Sequence, residues 1–159
     1  MIKKLLAFLI LISPLIACSQ EIEIVHFDQL EKRLNAETEN TLVVNFWATW
    51  CGPCVKELPN FEKANETFKN QKVKVLLVSL DYPNKLETEL KPFVLQNKIK
   101  SDIVLLDEAN ANKWIDKVSP QWSGSIPSTL IINPVKKTRN LYEKEFTYPE
   151  LETLINQLK

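Results

Sequence analysis

Two almost unbroken apolar runs, residues 41–47 (Thr-Leu-Val-Val-Asn-Phe-Trp) and 73–80 (Val-Lys-Val-Leu-Leu-Val-Ser-Leu), constrain this chain more than any other feature. Runs of that length, rich in Val and aromatic residues and flanked by polar segments, read as buried strands; the second suits a parallel sheet covered on both faces. Between them Val55, Leu58, Phe61, Ala64 and Phe68 recur at roughly helical spacing. Pro59 lies inside that helix and is expected to kink it, because proline has no N–H to donate.

The same alternation continues along the chain. Ile22, Ile24 and Phe27 surround a short first strand, and Asp28-x-x-Glu31 resembles a helix start, with Leu30 and Leu34 on one face. Leu86, Leu90, Phe93 and Val94 mark a helix that Pro92 is expected to bend. Residues 103–106 read as a strand, 111–118 as a short helix and 129–132 as a strand ended by Asn133-Pro134. Residues 141–146 follow as a final strand, antiparallel to the previous one because the connection is short. Thr147-x-x-Glu150 opens the last helix, whose inward face is Leu151, Leu154, Ile155 and Leu158. Strands alternating with helices make an α/β class: one mixed sheet with helices on both faces. With 159 residues, no repeat and no linker, a single domain is expected.

The N-terminus reads as an address. Met1-Ile2-Lys3-Lys4 is a short basic segment and residues 5–12 are continuously apolar, a secretory layout too short for a membrane span. Leu15-Ile16-Ala17-Cys18 resembles the lipobox of bacterial lipoproteins, in which the cysteine receives lipid and becomes the new N-terminus. The expected organisation is a signal peptide over 1–17, a lipidated tether over 18–22 and a folded domain over 23–159. An uncleaved anchor or a plain signal peptide is the alternative. The chain as a whole has 20 basic and 20 acidic side chains; the mature chain has 18 and 20, a net of −2, which implies no nucleic-acid partner.

Lipid on Cys18 also resolves the cysteine count. Three cysteines are an odd number for an exported chain, and setting Cys18 aside leaves only Cys51 and Cys54. They stand in Trp50-Cys51-Gly52-Pro53-Cys54, directly after the first buried strand and at the start of a helix. Unsatisfied backbone N–H groups and the positive end of the helix dipole there stabilise a thiolate. The thiolate is the nucleophile, and such placement lowers a cysteine pKa from about 8.5 to near or below 7. A second cysteine three positions on can close the disulfide, so the pair can exchange with a substrate disulfide in two displacements. A zinc site needs two further ligands, and the mature chain has His26 as its single histidine. Copper delivery lacks ligands as well, since Met1 is the only methionine and leaves with the signal. A purely structural disulfide closing so small a loop removes little chain entropy.

From Thr41 to Pro59 the chain resembles the thioredoxin superfamily, and more closely its TlpA/ResA-like branch of envelope oxidoreductases. The carrying residues are Val43-Val44-Asn45-Phe46-Trp47-Ala48-Thr49-Trp50-Cys51-Gly52-Pro53-Cys54, then Glu57-Leu58-Pro59, while Gly124-Ser125-Ile126-Pro127-Ser128-Thr129 resembles the family's cis-proline loop. Both glycines of the chain, Gly52 and Gly124, fall in these segments, a hint that the two belong to one site. The resemblance implies a thioredoxin fold with an insertion before the cis-proline loop, placed at residues 83–111 because Cys54 and Pro127 are 73 residues apart. Trp114 and Trp122 would pack in the core or edge a substrate groove.

The resemblance further implies that Cys51 attacks and Cys54 resolves. Trp50, Gly52, Pro53, Ile126 and Pro127 would meet substrate, with Pro127 in a cis bond and Ile126 offering its backbone. Thioredoxins carry a titratable aspartate where this chain has Asn45. Glu57 would replace it as a proton relay or tune the cysteines; otherwise it is a solvated carboxylate on the helix face. The function expected from the resemblance is a membrane-tethered, periplasm-facing reductase of exported proteins, apocytochrome c among them. It would need no cofactor beyond the disulfide, be recharged by a membrane thiol donor and act as a monomer. A thiol peroxidase and a Cys-x-x-Cys metal-binding chaperone are the alternatives.

Overall fold

The computed structural model describes residues 21–159. The expected signal segment, Cys18 and the start of the tether lie outside the described residues. Ile22, assigned above to the tether, is 4% exposed and packs into the core, so the packed domain begins before Glu23.

The elements in chain order are β1 (Glu23–Val25), α1 (Phe27–Ala36), β2 (Thr41–Trp47), α2 (Gly52–Phe68), β3 (Val73–Ser79), α3 (Lys91–Gln96), β4 (Asp102–Leu106), α4 (Ile115–Val118), β5 (Ser128–Asn133), β6 (Thr138–Tyr142) and α5 (Tyr148–Leu158). They form a mixed sheet in the order β1-β4-β3-β2-β5-β6. β2 runs parallel to β3 and antiparallel to β5, and β6 returns antiparallel beside β5. No helix of the described residues is long and apolar enough to cross a membrane.

Every residue of β2 is buried, and the two-residue period of a strand divides them between two apolar layers. Val43 and Trp47 join the layer built by Leu58, Phe61, Ala64 and Phe68 of α2 and by Leu151 and Ile155 of α5. Leu42, Val44 and Phe46 join the opposite layer, under Phe27, Leu30 and Leu34 and beside Trp114 and Trp122. The parity that sends Val43 and Trp47 toward α2 sends Asn45 there too. Both tryptophans are core residues: Phe46 lies 4.6 Å from Trp122 and 6.1 Å from Trp114 between ring centroids.

Element boundaries depart from the sequence pattern in four places. Helix α1 starts at Phe27, capped by His26 and not by Asp28; the Gln29 side chain accepts the His26 N–H at 2.8 Å, closing the turn without the Asp-Glu pair. Residues 86–94 are not one helix, since a π-helical turn over Leu86–Leu90 precedes α3 and Pro92 falls in the first turn of α3, where a missing N–H is tolerated. Residues 111–118 divide into a 3-10 turn and the single-turn α4. The last strand is β6, not 141–146: Lys137, with φ of 54°, closes a tight turn, and pairing resumes at once with Thr138 opposite Asn133. Phe146 lies beyond that strand.

Phe46→Ala removes the ring that links both tryptophans and leaves a cavity on the side of the sheet away from α2. Urea denaturation of the oxidised protein is expected to show a loss of about 3–5 kcal/mol.

Candidate active site

The C-terminal end of β2 delivers the chain to the site. Beyond Trp47 the backbone turns, with the Cys51 N–H donating to the Ala48 carbonyl at 3.1 Å, and Cys51 becomes the N-cap of α2. Cys51 and Cys54 are joined in a disulfide. The Cys51 sulfur accepts the backbone N–H of Cys54 at 3.3 Å, and the first turn of α2 holds no acidic residue that would oppose negative charge there. Cys51 keeps 7% of its surface exposed whereas Cys54 has none, so an incoming molecule meets Cys51 first. Trp50 stands out at 62% exposure, and Gly52 and Pro53 are exposed beside it.

The second segment arrives from the loop before β5. The Ile126–Pro127 peptide is cis, as the resemblance implied, and the Ile126 carbonyl oxygen lies 3.9 Å from the Cys51 sulfur. The two glycines differ in purpose. Gly124 has φ of 88°, and a Cβ there would come within 2.9 Å of Ile115, so the loop needs glycine. A Cβ on Gly52 would meet nothing within 4 Å, so that glycine is not a steric requirement of the folded backbone.

Glu57 lies one turn beyond Cys54 on α2 and is wholly buried, which removes the solvated-carboxylate alternative. Its Oε1 accepts from Asn45 Nδ2 at 2.8 Å and its Oε2 from the Phe146 N–H at 2.8 Å. Asn45 Nδ2 also donates to Thr129 Oγ1 at 3.2 Å. Burial disfavours the charged form and raises the carboxyl to a pKa of about 7; the hydrogen bonds from Phe146 and Asn45 oppose that rise, and the nearby Glu145 adds to it. Glu145 is itself paired with Lys56 at 2.6 Å.

Two further acids position the site without appearing in the motifs. Asp81, 2% exposed at the end of β3, accepts from the Thr49 N–H at 3.1 Å, the Thr49 hydroxyl at 2.6 Å and the Ser79 hydroxyl at 2.8 Å. It thereby anchors the turn that carries Trp50 and Cys51. A single aspartate closing an apolar run was the one trace of this in the sequence. Glu143, just after β6, accepts from the hydroxyls of Ser123 and Ser125 and from the Ser123 N–H. Those donors hold its carboxyl below the usual range and pin the loop that leads to Ile126. Trp122 Nε1 donates to the Ser125 carbonyl at 2.9 Å and braces the same loop. The Glu143 contact has no local sequence signal, since Glu143 is 18 residues from Ser125. Among the described residues no group of three or more His, Cys, Asp or Glu is arranged to hold a metal ion.

Residues 20–140 match the AhpC/TSA family. The chain belongs to that family. Within the thioredoxin superfamily to which this AhpC/TSA domain is assigned, its curated relatives include sporulation thiol-disulfide oxidoreductase A of Bacillus subtilis strain 168, 27% identical over 100 residues that cover 61% of this chain and 57% of the relative. They also include thiol-disulfide oxidoreductase ResA of Oceanobacillus iheyensis, 26% identical over 131 residues that cover 82% of this chain and 64% of the relative. The chain thus spans about 57–64% of the length of these two relatives. Among solved structures, a thioredoxin-related protein from Neisseria meningitidis serogroup B superposes with a TM-score of 0.66 at 25% identity, covering 79% of this chain and 89% of that one. The thioredoxin fold is therefore that of this AhpC/TSA member.

The raised Glu57 pKa has a consequence for stability. The unfolded carboxyl ionises near 4.5 and the folded one near 7, so between those values the unfolded state holds fewer protons. Glu57 thus leaves stability intact below pH about 4.5 and lowers it as pH rises to about 7, by on the order of 3 kcal/mol. Glu57→Gln removes this titration. Unfolding free energies of the oxidised proteins from urea denaturation at pH 4.5 and 8 are expected to shift in favour of the variant by that amount across the interval, whereas parallel pH profiles for the two proteins would contradict the assignment.

Proposed function

We propose that this protein is a thiol–disulfide oxidoreductase that reduces disulfides of exported proteins. The observation that carries the proposal is the Cys51 sulfur at the N-cap of α2, accepting a backbone N–H and partly open to solvent, with Cys54 sealed behind it. The two curated relatives are thiol-disulfide oxidoreductases, which supports the same chemistry.

The geometry supports the following reaction. In the reduced protein the Cys51 thiolate attacks one sulfur of a substrate disulfide; that S–S bond breaks, a mixed disulfide forms and the departing substrate thiolate takes a proton from solvent. Cys54 then gives its proton to the Glu57 carboxylate and attacks the Cys51 sulfur, which restores the Cys51–Cys54 disulfide and releases the second substrate thiolate. Two electrons have passed from the dithiol to the substrate. A carboxyl that titrates at about 7 suits this exchange, because it can take and return a proton near neutral pH. The exposed Trp50 and the Ile126 backbone beside Cys51 are the surfaces a substrate polypeptide meets.

Lipid on Cys18, periplasm-facing attachment to a membrane, recharging by a membrane thiol donor, apocytochrome c among the substrates and action as a monomer complete the proposal. Its support is the lipobox-like Leu15-Ile16-Ala17-Cys18 and the resemblance to envelope oxidoreductases.

Cys54→Ser is expected to accumulate mixed disulfides on Cys51 in cells, identifiable by mass spectrometry, and Cys51→Ser is expected to accumulate none. Gly52-Pro53 between the cysteines resembles the reducing thioredoxins, so the reduction potential is expected nearer their roughly −270 mV than the roughly −120 mV of a strong oxidant; a value above about −180 mV would overturn the reducing direction. Consumption of hydrogen peroxide without reduction of any protein disulfide would instead favour a peroxidase.

A further inference from the structure

One buried polar atom at the site has no partner. Asn45 is fully buried; its Nδ2 is engaged twice, by Glu57 Oε1 at 2.8 Å and Thr129 Oγ1 at 3.2 Å, while its Oδ1 has no hydrogen-bonding partner. A buried amide oxygen left unpaired is unfavourable, and few such atoms occur in folded proteins. Its location beside the buried Glu57 carboxyl, which joins α2 to β2, makes it informative.

The amide has two ends of nearly equal shape and opposite hydrogen-bonding character. An ionised Glu57 only accepts, and Asn45 Nδ2 faces it as the structure has it. A Glu57 protonated on Oε1 has a hydrogen to donate, and Nδ2 then confronts an O–H with an N–H. Rotating the amide by half a turn about its last side-chain bond puts Oδ1 in that position. Thr129 presents no obstacle, since a hydroxyl that accepts from Nδ2 can equally donate to Oδ1. Glu57 Oε2 keeps the Phe146 N–H in both states. No backbone atom has to move, and the strand position that directs Asn45 under α2 is retained.

We propose that Asn45 is a positioning residue whose side-chain amide reverses when Glu57 gains or loses its proton, so that either protonation state of the buried carboxyl is hydrogen-bonded. The proposal rests on Glu57 as the proton acceptor of the exchange reaction. The other groups that face Glu57 are fixed in kind. Cys54 lies one turn back on the same helix, Thr129 on β5 is neutral, and Glu145 on the segment before α5 is paired with Lys56. Asn45 is the side chain hydrogen-bonded to Oε1, and the Thr129 hydroxyl is engaged with the Asn45 amide. An aspartate at position 45 would bring a second titrating group, and an apolar residue would supply neither bond.

The test is made on the oxidised full domain, where the cysteines do not titrate. The Glu57 carboxyl is followed by carbon NMR between pH 4 and 9, and the Asn45 side-chain NH2 group is followed by nitrogen shifts and by proximity of its hydrogens to Thr129. The expected result is an Asn45 NH2 signal that titrates with the same midpoint as Glu57. Its hydrogens should lie close to Thr129 Oγ1 at high pH and turn away at low pH. An NH2 group with unchanged neighbours at both ends of the range overturns the reversal. In Asn45→Leu, which keeps the branching but neither hydrogen bond, the Glu57 midpoint is expected to rise by about one unit or more, because the charged form loses the stronger bond. An unchanged midpoint in that variant overturns Asn45 as its positioning residue. Failure of the underlying reading looks different: Glu57→Gln would leave the pH profile of disulfide exchange unaltered, whatever the Asn45 amide does.

Discussion

The buried carboxylate of Glu57 joins helix α2, which carries both cysteines, to strand β2 through Asn45 and to the backbone ahead of α5 through Phe146. Asn60, three residues further along α2, donates to the Phe146 carbonyl at 2.8 Å, so one peptide neighbourhood is held from both sides by the same helix. A charge in that position is costly unless its oxygens are satisfied, and here each oxygen has one donor. The same burial that makes the contact demanding brings the carboxyl into the range where a thiol can exchange protons with it. Structure and chemistry are thus set by one desolvated group.

Around that contact the site is assembled from three loops at one end of the sheet. Asp81 holds the turn before Cys51, Glu143 holds the loop before Ile126, and the sulfur of Cys51 completes the cap of α2. Asp81 and Glu143 are carboxylates that each receive several donors, which fixes direction as well as distance. Apolar packing alone is non-directional, and it would leave the Ile126 carbonyl and the Cys51 sulfur free to drift apart.

Much of this could be read from the chain in order. The strand at 41–47, the helix after the cysteines and the final capped helix follow from periodicity, because β2 is buried on both faces and α5 on one. The boundaries that shifted did so for tertiary reasons or for local contacts outside the periodic pattern. His26 replaced Asp28 as the cap because Gln29 closes the turn and the His26 ring reaches the Asp107 carbonyl at 2.7 Å. The last strand moved toward the turn because pairing with β5, not the apolar character of residues 141–146, decides where it lies.

The sequence by itself determined the reactive pair: two cysteines at the start of a helix, after a buried strand, carry their chemistry in their spacing, since local geometry and the helix terminus act within one turn. The resemblance to the thioredoxin superfamily singled out Asn45, Glu57 and Pro127 as the residues to locate. Only the tertiary structure decided what Glu57 is. A carboxylate at that helical position can face water or the sheet, and nothing within a turn of it chooses between them. Packing of α2 against β2 and α5 does, by removing water and supplying two donors from 12 residues before it and 89 residues after it. Desolvation is a property of the assembled core, and so is the proton chemistry that depends on it.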